Sequence, residues 1–158
     1  AGLLTVNAIA HHKRMAVMVM GTNDMAKELR ATISMDRAEL LPYLAMCLLS
    51  ARDAGIAILD GVYNDIKDEI GFESVSKQGA GMGFDGKTLI HPSQVELANR
   101  IFAPSIDELE FHTRVIKEFE MAQLDGRGVL TVDGKMIENL HVDEARRAIA
   151  MVEAINSI

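Results

Sequence analysis

This 158-residue chain has one cysteine, three prolines and no tryptophan. The single Cys47 excludes an internal disulfide. Its place in an apolar helical pattern reads as a buried structural thiol rather than a nucleophile. That usage fits a reducing, cytoplasmic compartment. No stretch has the length of a membrane span, so no membrane partner is expected. Net charge is −7, and Lys and Arg form no stripe interleaved with aromatics, which argues against nucleic acid. An anionic ligand would need local cations or backbone N–H groups. The chain is long enough for one ordinary domain or for a piece of a larger one.

What the sequence does contain is alternation. Residues 2–14 read as a helix with a basic end, and Met15–Met20 as an apolar strand. A short helix or turn follows over 25–31. Asp36 and Glu39 have capping-box spacing, opening a helix that runs to about Ala54, with Gly55 just past its end. Pro42 falls in its early turns. A second strand covers 56–59 and ends at Asp60-Gly61. A helix over 72–78 precedes three glycines and a third strand, whose β-formers are Thr88, Leu89 and Ile90. A helix over 93–101 closes the pattern. Strand–helix alternation with short loops predicts a parallel α/β arrangement with right-handed crossovers. Three such strands fit an open sheet, or part of an eight-stranded barrel of roughly 250 residues.

The tail has a different style. Ser105 and Glu108 form another capping box, opening a helix to about Gln123. Asp133-Gly134 between 129–132 and 135–138 is a hairpin signal. A last helix is expected over 141–155.

Two strand ends carry chemistry. Asp24 follows the first apolar run after Gly21, Thr22 and Asn23. It reads either as a Mg²⁺ ligand, since Mg²⁺ takes one or two carboxylates plus water, or as a cap for a helix starting at Met25. His91 and Gln94 sit at the mouth of the third strand. There His91 is either a working residue or a tie between strand and helix, with Pro92 at the first helical position. His11 and His12 point in different directions on a helix and build no single site. Asp65, Asp68 and Glu69 read as a solvated loop. Glu138 sits beside Asn139 on a hairpin arm, which is solvent-facing unless the hairpin covers a site.

Taken together, Gly83-Phe84-Asp85-Gly86-Lys87, Ile90-His91-Pro92-Ser93-Gln94, Met20-Gly21-Thr22-Asn23-Asp24, Phe102-Ala103-Pro104-Ser105 and Gly134-Lys135-Met136-Ile137 resemble the citrate lyase β-subunit-like family. This family of CoA-ester lyases includes malyl-CoA and citramalyl-CoA lyases and belongs to the HpcH/HpaI aldolase superfamily. The resemblance runs through essentially the whole chain. It implies a TIM barrel, of which residues 1–103 supply strands six to eight, and a C-terminal lid and oligomerisation extension over 104–158. It also implies that a metal-binding Glu and a substrate-binding Arg lie upstream of Ala1. The chain is therefore expected to be a C-terminal portion, inactive alone.

The implied chemistry is Mg²⁺-dependent (or Mn²⁺-dependent) Claisen-type cleavage of a 3-hydroxyacyl-CoA to an acyl-CoA and a 2-oxo acid such as glyoxylate or pyruvate. By resemblance Asp24 is a metal ligand, and Gly21, Thr22, Asn23, Thr88, Leu89 and Ile90 bind substrate. Asp85, His91 and Gln94 organise the site. Glu138 is the lid carboxyl, offered to a neighbouring subunit of a homotrimer or hexamer. Many members have Asp there; Glu138 adds a methylene, moving the acid by about 1.5 Å. Other readings are a non-catalytic module binding a CoA-like ligand or a partner, and an aldolase acting on free hydroxy acids.

Overall fold

The computed structural model describes residues 2–157. They divide at Phe102/Ala103 into two compact units.

The first unit is a three-stranded parallel sheet with helices between its strands. After a 3₁₀ turn, Gly2–Thr5, come α1 (Val6–Ala10), β1 (Val17–Val19), α2 (Thr22–Leu29), α3 (Leu41–Asp53), β2 (Ala57–Asp60), α4 (Glu69–Met82), β3 (Gly86–Lys87) and α5 (Val95–Phe102). The strand order is β1-β2-β3. Val17 pairs with Ala57, and Leu59 with Gly86. The core lies on one face of the sheet, where Leu44, Cys47 and Ala51 of α3 meet Ile58, Met20 and Phe84. Cys47 is buried as expected, and burial pushes its thiol pKa up.

Several expected boundaries move. The first helix ends at Ala10, leaving His11–Arg14 in a turn. The Asp36/Glu39 capping box does not form. Both carboxylates instead turn to Ser34, whose hydroxyl lies 2.6 Å from Asp36 and 2.8 Å from Glu39 and whose N–H donates to Glu39 at 3.0 Å, and α3 starts at Leu41 with Pro42 in its first turn. The apolar run of the first strand is not fully enclosed. Val17 is 43% exposed and Val19 56%, because no described layer covers that side of β1. The third strand is Gly86–Lys87, not 88–90. Thr88 N–H still reaches Asp60 O at 2.9 Å. Two residues on, Ile90 N–H goes to the Gln94 side chain rather than to a neighbouring strand.

The second unit is two helices and a hairpin. It comprises α6 (Ile106–Leu124), β4 (Leu130–Val132), β5 (Lys135–Ile137) and α7 (Asn139–Asn156). The Ser105/Glu108 capping box forms as expected. Asp133 (φ 49°) and Gly134 (φ 78°) both occupy the left-handed region that a two-residue type I′ turn requires. Val115, Phe119, Val132, Ile137, Val142 and Ala145 form its core. The hairpin arm stops at Ile137, so Glu138 is not a strand residue but the N-cap of α7.

Candidate functional site

Because the three strands are parallel, their C-terminal ends share one edge, and three turns leave from it. The first, Met20–Gly21, enters α2 at Thr22. Asp24 is therefore the third residue of a helix and not the cap before it. Its carboxylate is exposed, and Oδ2 folds back to 3.5 Å from where a Cβ on Gly21 would stand. None of the ion pairs among the described residues engages it. The first backbone N–H groups of α2 have no intrahelical acceptor, so a carboxylate in this turn is electrostatically favoured.

The middle turn, Gly61–Asn64, ties the other two together. Asn64 and Asn23 exchange reciprocal amide hydrogen bonds of 2.8 and 3.0 Å. Thr22 packs so tightly on Gly61 that a Cβ there would collide with its side chain and stand 2.8 Å from Met20 O. From the third turn, Gln94 donates to Tyr63 O at 3.2 Å and accepts from Ile90 N–H at 3.1 Å. Tyr63 donates its hydroxyl to Asp68, which pushes the tyrosine pKa up to about 12 and holds the Asp68 carboxyl below its ordinary range. A cavity of about 330 Å³ opens beside this turn, lined by Thr22, Asn23, Met35, Arg37, Tyr63 and Asn64 among others.

Beneath the edge lies a buried charge cluster that reading the sequence missed. Asp60 ends β2 fully enclosed. It accepts from Arg37 Nη1 at 2.7 Å and from Lys87 Nζ at 2.9 Å. Lys87 also donates to Gly61 O at 2.6 Å, and Arg37 Nε to Gln78 at 2.7 Å. Burial is the main influence on Lys87 and pushes its pKa down, against the upward pull of Asp60. Helix α4 approaches this cluster closely. A Cβ on Gly79 would stand 2.7 Å from Asp60 Oδ2. One signal was in the sequence: a lysine inside a strand pattern, and an aspartate closing an apolar strand, each need a buried partner.

The structure thus gathers Gly21, Thr22, Asn23, Asp24, Thr88, Leu89, Ile90, His91 and Gln94 at one edge. Thr88 Oγ1 is buried there without a hydrogen-bond partner among the described residues. His91 caps the 3₁₀ turn Pro92–Gln94. Its Nδ1 accepts from Ser93 N–H at 3.2 Å and lies 2.8 Å from Ser93 Oγ. Asp85 is not with them. It precedes β3, where it forks onto Arg52 at 2.8 and 2.9 Å and accepts from Ile58 N–H at 2.7 Å. Glu138 belongs to the second unit, half-buried, with its backbone N–H on His141 Nδ1 at 3.1 Å.

A parallel α/β sheet with a free carboxylate at the strand-end edge defines a class of α/β proteins that place ligands there. The model of the HpcH/HpaI aldolase/citrate lyase family matches residues 1–92, and the chain belongs to that family. It is 52% identical over 154 residues to a (3S)-malyl-CoA thioesterase of Cereibacter sphaeroides, covering 98% of this chain and 54% of the relative. It is 35% identical over 153 residues to the citrate lyase subunit beta of Escherichia coli K12, covering 96% and 51%. Among solved structures it is similar to the CitE protein of Mycobacterium tuberculosis in complex with magnesium, acetoacetate and coenzyme A. The TM-score there is 0.78 with 26% identity, over 94% of this chain and 56% of that one. The chain spans about half the length of the curated relatives it matches. Among the described residues, no helix is long and apolar enough to cross a membrane.

Proposed function

We propose that the protein acts on the CoA ester of a small hydroxy dicarboxylic acid, of the malyl-CoA type, with Mg²⁺ at Asp24. The observation that carries this reading is the exposed, unpaired Asp24 carboxylate in the first turn of α2, in a chain 52% identical to a malyl-CoA thioesterase. In the proposed architecture, residues 1–103 are strands six to eight of a TIM barrel and 104–158 a lid.

Asp24 fits as one hard oxygen ligand for Mg²⁺. The described residues gather no group of three His, Cys, Asp or Glu side chains for an ion. Asp24 would therefore share the metal with groups outside them and with water. When bound, Mg²⁺ supplies Lewis-acid stabilisation to oxygen atoms gaining charge. The N–H groups at Gly21–Asn23 bind the substrate carboxylate, and the Thr88–Ile90 backbone lies along the thioester arm. His91 and Gln94 hold that arm's shape.

Two bonds are candidates for breaking. In carbon–carbon cleavage, the substrate hydroxyl gives up its proton to water as the carbon–carbon bond breaks and the 2-oxo acid forms, and a protonated Glu138, offered by a neighbouring subunit of a trimer or hexamer, delivers a proton to the enolate carbon of the departing acyl-CoA. In thioester hydrolysis, water attacks the thioester carbonyl, and free CoA and the hydroxy acid leave. The second reading is favoured by the name of the 52%-identical relatives, the first by those of the citrate lyase subunits.

Product analysis on malyl-CoA separates them. Acetyl-CoA and glyoxylate mark cleavage; CoA and malate mark hydrolysis. Neither product pair in the presence of Mg²⁺ overturns the substrate class. Asp24→Asn removes turnover and Mn²⁺ binding if the metal site is right.

A further inference from the structure

We propose that Asn64 is a positioning residue for the Asp24 carboxylate, held in place by the buried Lys87–Asp60–Arg37 cluster. The inference rests on the metal reading of Asp24 given above.

The argument starts at Lys87. Its side chain is fully enclosed, and its ammonium grips Asp60 Oδ2 at 2.9 Å and Gly61 O at 2.6 Å. Asp60 Oδ1 is itself fixed by Arg37 at 2.7 Å and by Gly61 N–H at 2.8 Å. Both backbone polar groups of Gly61 are therefore held by charged, solvent-free partners, which are the stronger kind of hydrogen bond. Gln94 pins the same turn two residues on, at Tyr63 O. Asn64 thus leaves a turn with little freedom.

Asn64 spends both functions of its amide on Asn23, whose own amide is likewise fully engaged. Asn23 is the residue immediately before Asp24, and both are exposed in the first turn of α2 between the buried Thr22 and Met25, at a helix end, where helices fray. A reciprocal amide pair fixes both position and rotation there, as no single hydrogen bond would. Groups hydrogen-bonded directly to a metal ligand are worth about 10–100-fold in metal affinity; Asn64 acts one residue further back, through the turn that carries Asp24, so the lower end of that range applies.

The test is Mn²⁺ binding to the full-length protein containing this chain, read from the electron paramagnetic resonance of free Mn²⁺, with thermal unfolding alongside. Asn64 is exposed, so Asn64→Ala is expected to fold. The expected result is a Kd for Mn²⁺ raised about 10-fold and a raised half-saturating Mg²⁺ concentration in turnover. Asn64→Asp loses the amide donor but keeps an acceptor for Asn23, and falls between. Asp24→Asn separates this inference from the reading beneath it. If Asp24→Asn abolishes Mn²⁺ binding while Asn64→Ala leaves Kd within about twofold, the positioning role is wrong and the metal ligand stands. If Asn64→Ala lowers the unfolding temperature without moving Kd, its role is structural and the inference fails. If Asp24→Asn leaves Kd unchanged, both fail.

Discussion

Lys87 Nζ and Asp60 Oδ2 lie 2.9 Å apart, and neither side chain reaches solvent. With Arg37 Nη1 at 2.7 Å on the other oxygen, two cations share one buried carboxylate. Removing that carboxylate strands both. Asp60→Ala should cost about 3–5 kcal/mol in urea unfolding at neutral pH, the range for breaking a buried ionic group. Lys87→Met should cost less, because Asp60 keeps Arg37 and the methionine fills the lysine's space. The pH dependence has a definite sign. Burial holds the folded-state pKa of Lys87 below its ordinary 10.5, so the unfolded chain keeps this proton to higher pH. Stability from this group therefore rises as pH climbs from the folded pKa towards 10.5. Lys87→Met should remove that rise.

Tyr63 titrates in the opposite sense. Its hydroxyl is held by Asp68, and its pKa stands at about 12 against an ordinary 10.0. A folded pKa above the unfolded one means that the stabilisation is fully present below about pH 10 and is lost as pH rises through about 12. The chain has two tyrosines, so Tyr43→Phe leaves Tyr63 as the only chromophore for an absorbance titration of tyrosinate. The midpoint should lie near 12 and fall towards 10 in an added Asp68→Asn. A midpoint near 10 before that substitution would show that the hydroxyl is free.

Of the three glycines in helix α4, Gly79 and Gly81 should respond oppositely to alanine. Alanine is the better helix former by about 1 kcal/mol. At Gly81 a Cβ meets nothing within 4 Å, so Gly81→Ala should stabilise by up to that amount. At Gly79 the Cβ would press on Asp60 Oδ2 at 2.7 Å, an atom pinned by Lys87. There the collision outweighs the propensity, and Gly79→Ala should lower the urea midpoint. If both variants move it the same way, the close approach of α4 to the cluster is wrong.

The parallel alternation was legible because apolar runs of strand length end in glycine and polar residues, and because Gly55 and Gly83 stop helices with positive φ (67° and 102°). The third strand was misplaced because Thr88, Leu89 and Ile90 have strand propensity. A side chain, Gln94, nevertheless outcompeted a neighbouring strand for Ile90 N–H. Propensity scores the residue; it does not score a competing acceptor four positions away. The capping box at Asp36 failed for the same kind of reason, since Ser34 captured both carboxylates. The positions of Asp24 and Gln94 at the strand-end edge were legible because each follows an apolar run. Asn64 drew no reading, because its amide partner lies 41 residues away, and Arg37, expected in the first turn of a helix, instead turns inward to a buried ion pair.

Asp85 belongs to the same motif as Lys87 and Thr88 but serves a different end of the sheet. Its carboxylate joins Arg52 of α3 to the Ile58 backbone, clamping helix to strand away from the edge that holds Asp24. Asp85→Ala should therefore cost about 1–3 kcal/mol of stability, the loss of charge-assisted hydrogen bonds discounted for partial exposure. It should leave the Kd for Mn²⁺ unchanged. A loss of metal affinity without a loss of stability would return Asp85 to the site.

Glu138 offers the sharpest division between the two reactions. It stands at the N-cap of α7, where its backbone N–H is already satisfied by His141, so its side chain can be changed without orphaning that donor. Glu138→Gln keeps the length of the side chain and removes its transferable proton. If the protein cleaves a carbon–carbon bond with Glu138 as the acid, kcat should fall about 10²–10⁴-fold, the usual contribution of a positioned acid or base. Thermal unfolding should stay nearly unchanged. Glu138→Asp shortens the reach by about 1.5 Å and is a favoured N-cap residue, so it should fold at least as well and change rate rather than stability. Should Glu138→Gln leave kcat for thioester hydrolysis untouched while turnover still depends on Asp24, the proton-transfer role falls. The Asp24 edge would then carry the reaction without it.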